Sequence, residues 1–262
     1  MSADCHESGG QTSRKHLAAK GSPLIALAGQ PNVGKSTIFN LLTGLNQHVG
    51  NWPGKTIEQK IGFYHTEHLT LKLVDLPGTY SLTANSLEER VARDFILQEQ
   101  PDLVVIVANA ACLERHLYLL SELLALNTPV ILGLNMIDVA EQQGLQIDMR
   151  ALEAALGLPV VPMVASRNQG VHDLVQTIER VALQPSQLAP SRPEIRTDHK
   201  VVLEQVLLLL SDHVPAPYPP DWVALKLLEG DLEITEMIRA RLDAATWEPV
   251  HNVLKAHEDA VL

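Results

Sequence analysis

Along residues 23 to 182, short runs that are apolar at nearly every position alternate with longer stretches whose apolar residues recur every three or four places. The short runs predict strands: PLIALA (23 to 28), KIGFYHT (60 to 66), LTLKLVD (69 to 75), DLVVIVAN (102 to 109), PVILGLN (129 to 135) and LPVVPMVA (158 to 165). The periodic stretches predict helices at about 35 to 43, 86 to 98, 113 to 126, 148 to 156 and 171 to 182. Strands that are apolar throughout have both faces covered, and strands separated by helices run parallel. The pattern therefore predicts an α/β domain over residues 23 to 182, with a mostly parallel six-stranded sheet flanked by helices. The runs at 60 to 66 and 69 to 75 are the exception, because the few residues between them leave room only for a hairpin.

From about residue 183 to 197, around QPSQLAPSRPEIRTD, periodicity stops and three prolines predict a linker. Beyond it, HKVVLEQVLLLLSDHV, DWVALKLLEGDLEITEMIRARLDAA and TWEPVHNVLKAHEDAVL carry apolar residues at helical spacing. They predict a small all-α domain over residues 198 to 262, holding twelve acidic and five basic residues. Residues 1 to 22 lack the apolar middle of a secretion signal and predict a disordered, solvated tail.

Composition narrows the function classes. A formal net charge of -11 repels polyanions, so nucleic acid is not the expected partner. No run approaches the ~18 to 20 apolar residues of a membrane span, which predicts a soluble chain. Cys5 and Cys112 are too few for a disulfide framework and suit a reducing compartment.

Two segments end in Gly-Lys-Ser/Thr: GQPNVGKST (29 to 37) and VGNWPGKT (49 to 56). A phosphate loop must leave a strand, wrap backbone N–H groups around an anion and enter a helix whose N-terminal dipole favours negative charge. The first segment meets these conditions, with Gly29 and Gly34 four residues apart, a strand before and a helix after. Its backbone from Gly29 through Asn32, Val33, Gly34 and Thr37 would line the phosphates, Lys35 would reach the β- and γ-phosphates, and Ser36 would ligate Mg²⁺. The second fails, having Val49 where the first glycine belongs and no strand before it.

In DLPG, Asp75 closes a strand where it can hold Mg²⁺ through water, and the Gly78 N–H can face a γ-phosphate. NMID (135 to 138) follows another strand. The Asp138 carboxylate can accept from N1–H and the 2-amino group of guanine, a donor pair that adenine lacks, so GTP and GDP are expected over ATP. Asn135 would brace the base-binding loops, Met136 would pack over the ring with its apolar thioether, and Ala165 and Ser166 would close over O6 through backbone N–H groups. In guanine-nucleotide switches a Thr between the first helix and second strand completes the Mg²⁺ shell when γ-phosphate is present, and Thr56 is the candidate. Its segment, GLNQHVGNWPG, predicts a mobile loop in which Trp52 is exposed or packs on the domain surface. Thr79 stands directly after DLPG, where many regulatory GTPases orient water with a Gln, so positioning and charge must come from elsewhere.

The set GQPNVGKST, VGNWPGKT, DLPGTYSL and NMID, followed by a helical domain, resembles the cytosolic N-terminal region of the FeoB family of bacterial ferrous-iron transporters. The resemblance covers residues 23 to 262. It implies a membrane permease further along a full-length protein, a place on the cytoplasmic face of the bacterial inner membrane, and a helical domain like the family's dissociation-inhibitor module, which stabilises bound GDP. It also implies K⁺ stimulation, with Asn32 and the backbone carbonyls of Gly50 and Trp52 as ligands doing the electrostatic work of an arginine finger. Backbone near Gly78, together with Thr56, is implied as the water-positioning apparatus. Lys55 departs from the family, which more often has an apolar residue there, and is expected in solvent or near the phosphates. Homo-oligomerisation is compatible with this reading. The alternative is a soluble regulatory GTPase of ribosome assembly or RNA modification, which would be expected to carry a basic module where this chain is acidic.

Eleven histidines do not make an iron site by themselves. Cys5 and His6 lie in the tail, His65 and His68 straddle a hairpin turn, and no three or four ligands show a recognisable spacing, so iron binding by this segment is not expected. His116 and His172, near the starts of helices, are expected at the surface.

Overall fold

The computed structural model describes residues 22–83, 86–126, 128–185, 188–191, 197–210 and 213–261. The expected tail, with Cys5 and His6, lies outside the described residues except for Ser22, as does much of the expected linker.

β1 (Leu24–Gly29) leads through a tight loop into α1 (Lys35–Thr43). β2 (Gln47–Asn51), β3 (Glu58–His65) and β4 (Thr70–Asp75) follow as an antiparallel meander. Then come α2 (Leu87–Glu99), β5 (Leu103–Asn109), α3 (Glu114–Ala125), β6 (Val130–Asn135), α4 (Ile137–Gln142), α5 (Met149–Leu156), β7 (Val160–Pro162) and α6 (Val171–Leu183). The sheet order is β2-β3-β4-β1-β5-β6-β7, parallel from β4 through β7. Strand order reverses at β1, so the carboxyl ends of β1, β4, β5 and β6 surround a crevice of the kind that binds ligands in open α/β sheets.

The sheet has seven strands where the apolar pattern predicts six. β2 lies in the segment expected to be a loop, and all but one of its residues are exposed. It is held as an edge strand by its ladder to β3, from Gln47↔Gly62 to Asn51↔Glu58, and backbone pairing leaves no mark in side-chain hydrophobicity.

Alternation along β1 divides the core. Ile25 and Leu27 join Phe39, Leu73, Val105, Ile131 and Ile178 on one face, and Ala26 joins Val74, Val91, Phe95, Ile106 and Leu123 on the other. The second cluster continues without a break into the helices after residue 197 through Val206, Trp222, Ile234 and Val250. Those helices are α7 (Thr197–Leu210), α8 (Pro220–Leu228), α9 (Leu232–Arg239) and α10 (Ala244–Val261). No helix among the described residues is long and apolar enough to cross a membrane.

Charge is buried where the helical region meets the sheet domain. Lys226 of α8 is fully buried and donates to Glu122 of α3, to Glu229 Oε2 at 2.7 Å and to Thr83 Oγ1 at 3.1 Å. Burial alone would lower the Lys226 pKa, but Glu122 and Glu229 more than offset it and hold the ammonium above its ordinary value. Glu122 Oε2 also accepts the Leu82 N–H at 2.7 Å, which ties the segment after DLPG into the same network. Nearby, Arg93 of α2 reaches Asp94 at 3.2 Å and Glu233 of α9 at 3.0 Å.

Candidate functional site

The loop after β1 passes through Asn32 (φ 64°) and Gly34 (φ 91°) before α1 begins. A first side-chain carbon on Gly34 would lie 2.3 Å from Asn135 Nδ2, so this left-handed position takes only glycine. The buried Lys35 Nζ donates to Asp75 Oδ1 at 3.0 Å, and Ser36 Oγ donates to Asp75 Oδ2 at 3.0 Å. One carboxylate at the end of β4 thus gathers the first two side chains of α1, beside the free N–H groups and positive dipole of a helix start. Gly78 lies against this loop, since an added carbon would meet Pro31 at 3.0 to 3.1 Å.

Asn135, 3 % exposed at the end of β6, joins two further loops. Its Nδ2 donates to the Val33 carbonyl at 2.8 Å, and its Oδ1 accepts the Ala165 N–H at 2.9 Å. Met136 takes a left-handed backbone (φ 61°) and starts α4, which places Asp138 in the first helical turn. Asp138 Oδ1 accepts the Val139 N–H at 3.0 Å, and Oδ2 pairs with Arg167 Nη2 at 3.3 Å. A carboxylate has about four acceptor positions, so two donors of a base edge remain accommodated. Arg167 is absent from the sequence reading. Its only signal was a cation directly after the VAS segment, in a 3-10 turn at Ala165–Arg167. Ser36, Thr37 and Ser166 are exposed at the mouth of this crevice.

Several expected participants are elsewhere. Thr56 is exposed in the turn between β2 and β3 and makes no side-chain hydrogen bond among the described residues. That turn is closed by Trp52 N–H to Ile57 O and Lys55 N–H to Trp52 O, both 2.9 Å, so the Trp52 carbonyl already has a partner. Gly50 lies within β2 opposite Gln59. Trp52 is 7 % exposed and packs inward where its loop position suggested exposure, and its ring meets Phe95 edge-on with centroids 5.3 Å apart. Its Nε1 has no hydrogen-bond partner among the described residues, which costs about 1–3 kcal/mol against the burial gained. Lys55 is half-buried along a groove it shares with Asp94 and Glu99, a third placement beside solvent and phosphate.

The Thr79 hydroxyl donates to the Ser81 carbonyl, and the residue is 1 % exposed, so its side chain turns into the fold. His65 Nδ1 lies 3.0 Å from Thr70 Oγ1 across the hairpin. His116, expected at the surface, is 4 % exposed, because its face of α3 turns to the core beside Cys112 Sγ at 3.6 Å. Burial, and then Arg115, hold its pKa below the ordinary 6.5. Protons therefore favour the unfolded chain, and His116's contribution is full above that ordinary value and lost as pH falls through the lower folded one. The melting temperature of His116→Gln should fall less between pH 7 and pH 5 than that of the parent; parallel slopes would count against this.

Residues 24–178 match the family described as Ferrous iron transport protein B, and residues 200–261 match the FeoB cytosolic helical domain. The chain is 42% identical over 219 residues to the Fe(2+) transporter FeoB of Shigella flexneri, and 42% identical over 215 residues to that of Salmonella typhimurium. Each alignment covers 79% of this chain and 27% of the relative, so the chain spans about a quarter of those proteins' length. A GDP-bound variant of the S. thermophilus FeoB G-domain superposes with a TM-score of 0.81 at 35% identity, covering 91% of this chain and 90% of that one. The apo cytosolic domain of the T. maritima FeoB iron transporter gives 0.77 at 36% identity, covering 89% and 98%. With its phosphate loop, its DLPG carboxylate and its helical region all within the matched residues, the chain belongs to the Ferrous iron transport protein B family.

Proposed function

We propose that this chain hydrolyses GTP to GDP and phosphate, dependent on Mg²⁺ and stimulated by K⁺, and regulates ferrous-iron uptake through a permease portion of a longer protein. The observation that carries the reading is the convergence of Lys35 and Ser36 on Asp75, with Asn135 joining that loop to the loops at Met136 and Ala165.

The phosphates lie along the backbone N–H groups from Asn32 to Thr37, with Gly29 at the start of the loop. Lys35 exchanges Asp75 for the β- and γ-phosphate oxygens, a buried ammonium moving from one anion to another. The Ser36 hydroxyl and the Asp75 carboxylate form a hard oxygen pair that suits Mg²⁺, and Thr56 would join them after its segment moves. Bound Mg²⁺ supplies charge neutralisation at the phosphate oxygens. Asp138 reads N1–H and the 2-amino group of guanine, Met136 packs over the ring, and Ser166 presents its N–H group to O6, whereas the Ala165 N–H, also expected there, is engaged by Asn135 Oδ1. Backbone near Gly78 and Thr56 orient the attacking water, a task the inward-turned Thr79 cannot perform.

For K⁺, the Asn32 side chain is exposed at the loop's mouth, whereas the Trp52 carbonyl accepts from Lys55 N–H. A carbonyl oxygen has two acceptor positions, so Trp52 keeps one for a cation beside that bond, and Asn32, Gly50 and Trp52 would hold K⁺ together once the turn rearranges. The helical region and the rest of the longer chain supply the coupling to transport, with the working site on the cytoplasmic face of the inner membrane.

Hydrolysis measured in K⁺ and in Na⁺ tests this reading. The parent should turn over faster in K⁺, and Asn32→Ala should remove the difference while leaving GDP affinity within about threefold, since the phosphate cradle is mainly backbone. Equal rates in both salts for the parent would overturn the K⁺ assignment, and absence of hydrolysis in either would overturn the enzyme assignment.

A further inference from the structure

The 52–57 turn is anchored on the core by the buried Trp52, with the partly buried Ile57 packed against the same cluster. The Trp52 ring is seated on Phe95 of α2, at 5.3 Å between centroids and 74° between planes. Two backbone hydrogen bonds close the turn behind it, and Thr56 is left facing solvent. A groove of about 320 Å³ runs beside the indole, lined in part by Pro53, Lys55, Gln59, Ile61 and Gln98, so the ring is not enclosed on every side. Its Nε1 is buried without a partner among the described residues, a deficit that the ring escapes on leaving. Seating is thus apolar, built on one aromatic pair with α2, and opposed by a donor with no partner among the described residues: the properties of a contact that holds and also releases.

We propose that Phe95 is a positioning residue for the nucleotide response, and that its ring holds Trp52, and through it Thr56, in the resting place. This rests on the reading of Thr56 as the residue that answers the γ-phosphate. The seated indole and the engaged Trp52 carbonyl belong to one closed turn, so delivery of Thr56 and of the Gly50–Trp52 backbone requires the indole to leave Phe95. α2 also carries Arg93, paired to Glu233 of α9, so the seat stands on a helix fastened to the helical region.

The test uses the 262-residue chain and the tryptophan fluorescence that Trp52→Phe removes, which assigns the Trp52 component. With GDP, that component should resist acrylamide; with a non-hydrolysable GTP analogue and Mg²⁺, it should become accessible. Phe95→Ala should make it accessible with GDP as well, and should raise the affinity ratio of GTP analogue to GDP by roughly threefold to tenfold, the weight of one aromatic pair. Phe95→Tyr, which keeps the ring, should restore both readouts, something general loosening of α2 would not allow. Equal quenching of Trp52 in both nucleotide states of the parent, or an unchanged ratio in a folded Phe95→Ala, would overturn the proposal. If Phe95→Ala does not fold, Trp52→Ala should raise the same ratio, and an unchanged ratio there overturns it too. Binding of a fluorescent GDP is measured in parallel, and its absence in the parent would overturn the nucleotide reading rather than the seat.

Discussion

Lys226→Met should destabilise the protein by about 3–5 kcal/mol, the usual cost of removing one partner from a buried ion pair. The ammonium is the shared donor of Glu122, Glu229 and Thr83, and Glu122 is itself 3 % exposed. Without Lys226, Glu122 becomes a buried carboxylate whose remaining partners are the Leu82 N–H and the Thr83 hydroxyl. Burial already pushes the Glu122 pKa up while Lys226 pulls it down, so the substitution should also drive that carboxyl toward its neutral form. Urea denaturation of the single variant and of Glu122→Gln/Lys226→Met separates the two contributions. The double variant should recover most of the loss, because a neutral amide keeps the Leu82 contact without a stranded charge. A single variant as stable as the parent would show that the network carries no net stability.

Asp138→Asn should weaken GDP binding by about a hundredfold and confer binding of xanthosine diphosphate. Two hydrogen bonds to a charged group, at about 1.5–3 kcal/mol each, are exchanged for one good and one mismatched contact, which makes about 3 kcal/mol a reasonable net loss. Xanthine carries an oxygen where guanine has its amino group, and the Asn amide can donate to it. The pair with Arg167 is lost as well, but that guanidinium is 59% exposed, and such pairs contribute about 0–1 kcal/mol. Displacement of a fluorescent GDP measures both affinities; unchanged GDP affinity would mean that the base is read elsewhere.

The phosphate loop was legible because its chemistry is local. Gly29, Gly34, Lys35 and Ser36 stand at spacings set by the backbone, between a strand and a helix that the apolar pattern delimits. Asp75 and Asn135 were legible for a related reason, since each ends an apolar run and the carboxyl ends of parallel strands meet at one edge. What sequence could not reveal depends on residues brought together from far along the chain. The burial of Trp52 requires Phe95, and β2 exists through backbone pairing with β3. Lys226 is buried because Glu122, from another helix, pairs with it, a partner that helical spacing within its own segment does not reveal. His116 shows the limit of a residue-type rule: helix phase, not polarity, decided which way its ring faces.

The amide of Asn135 sets a constraint on how this pocket can change. Its two ends are committed to Val33 and Ala165, and Gly34 has no side chain because the amide fills that space. The loop proposed to hold the phosphates and the loops proposed to hold the base are therefore mechanically one device, joined by a single side chain. On the proposed reading, a change of base preference near Asn135 would disturb the phosphate loop in the same step, whereas Met136 and Arg167 lie outside this joint and could vary without moving it.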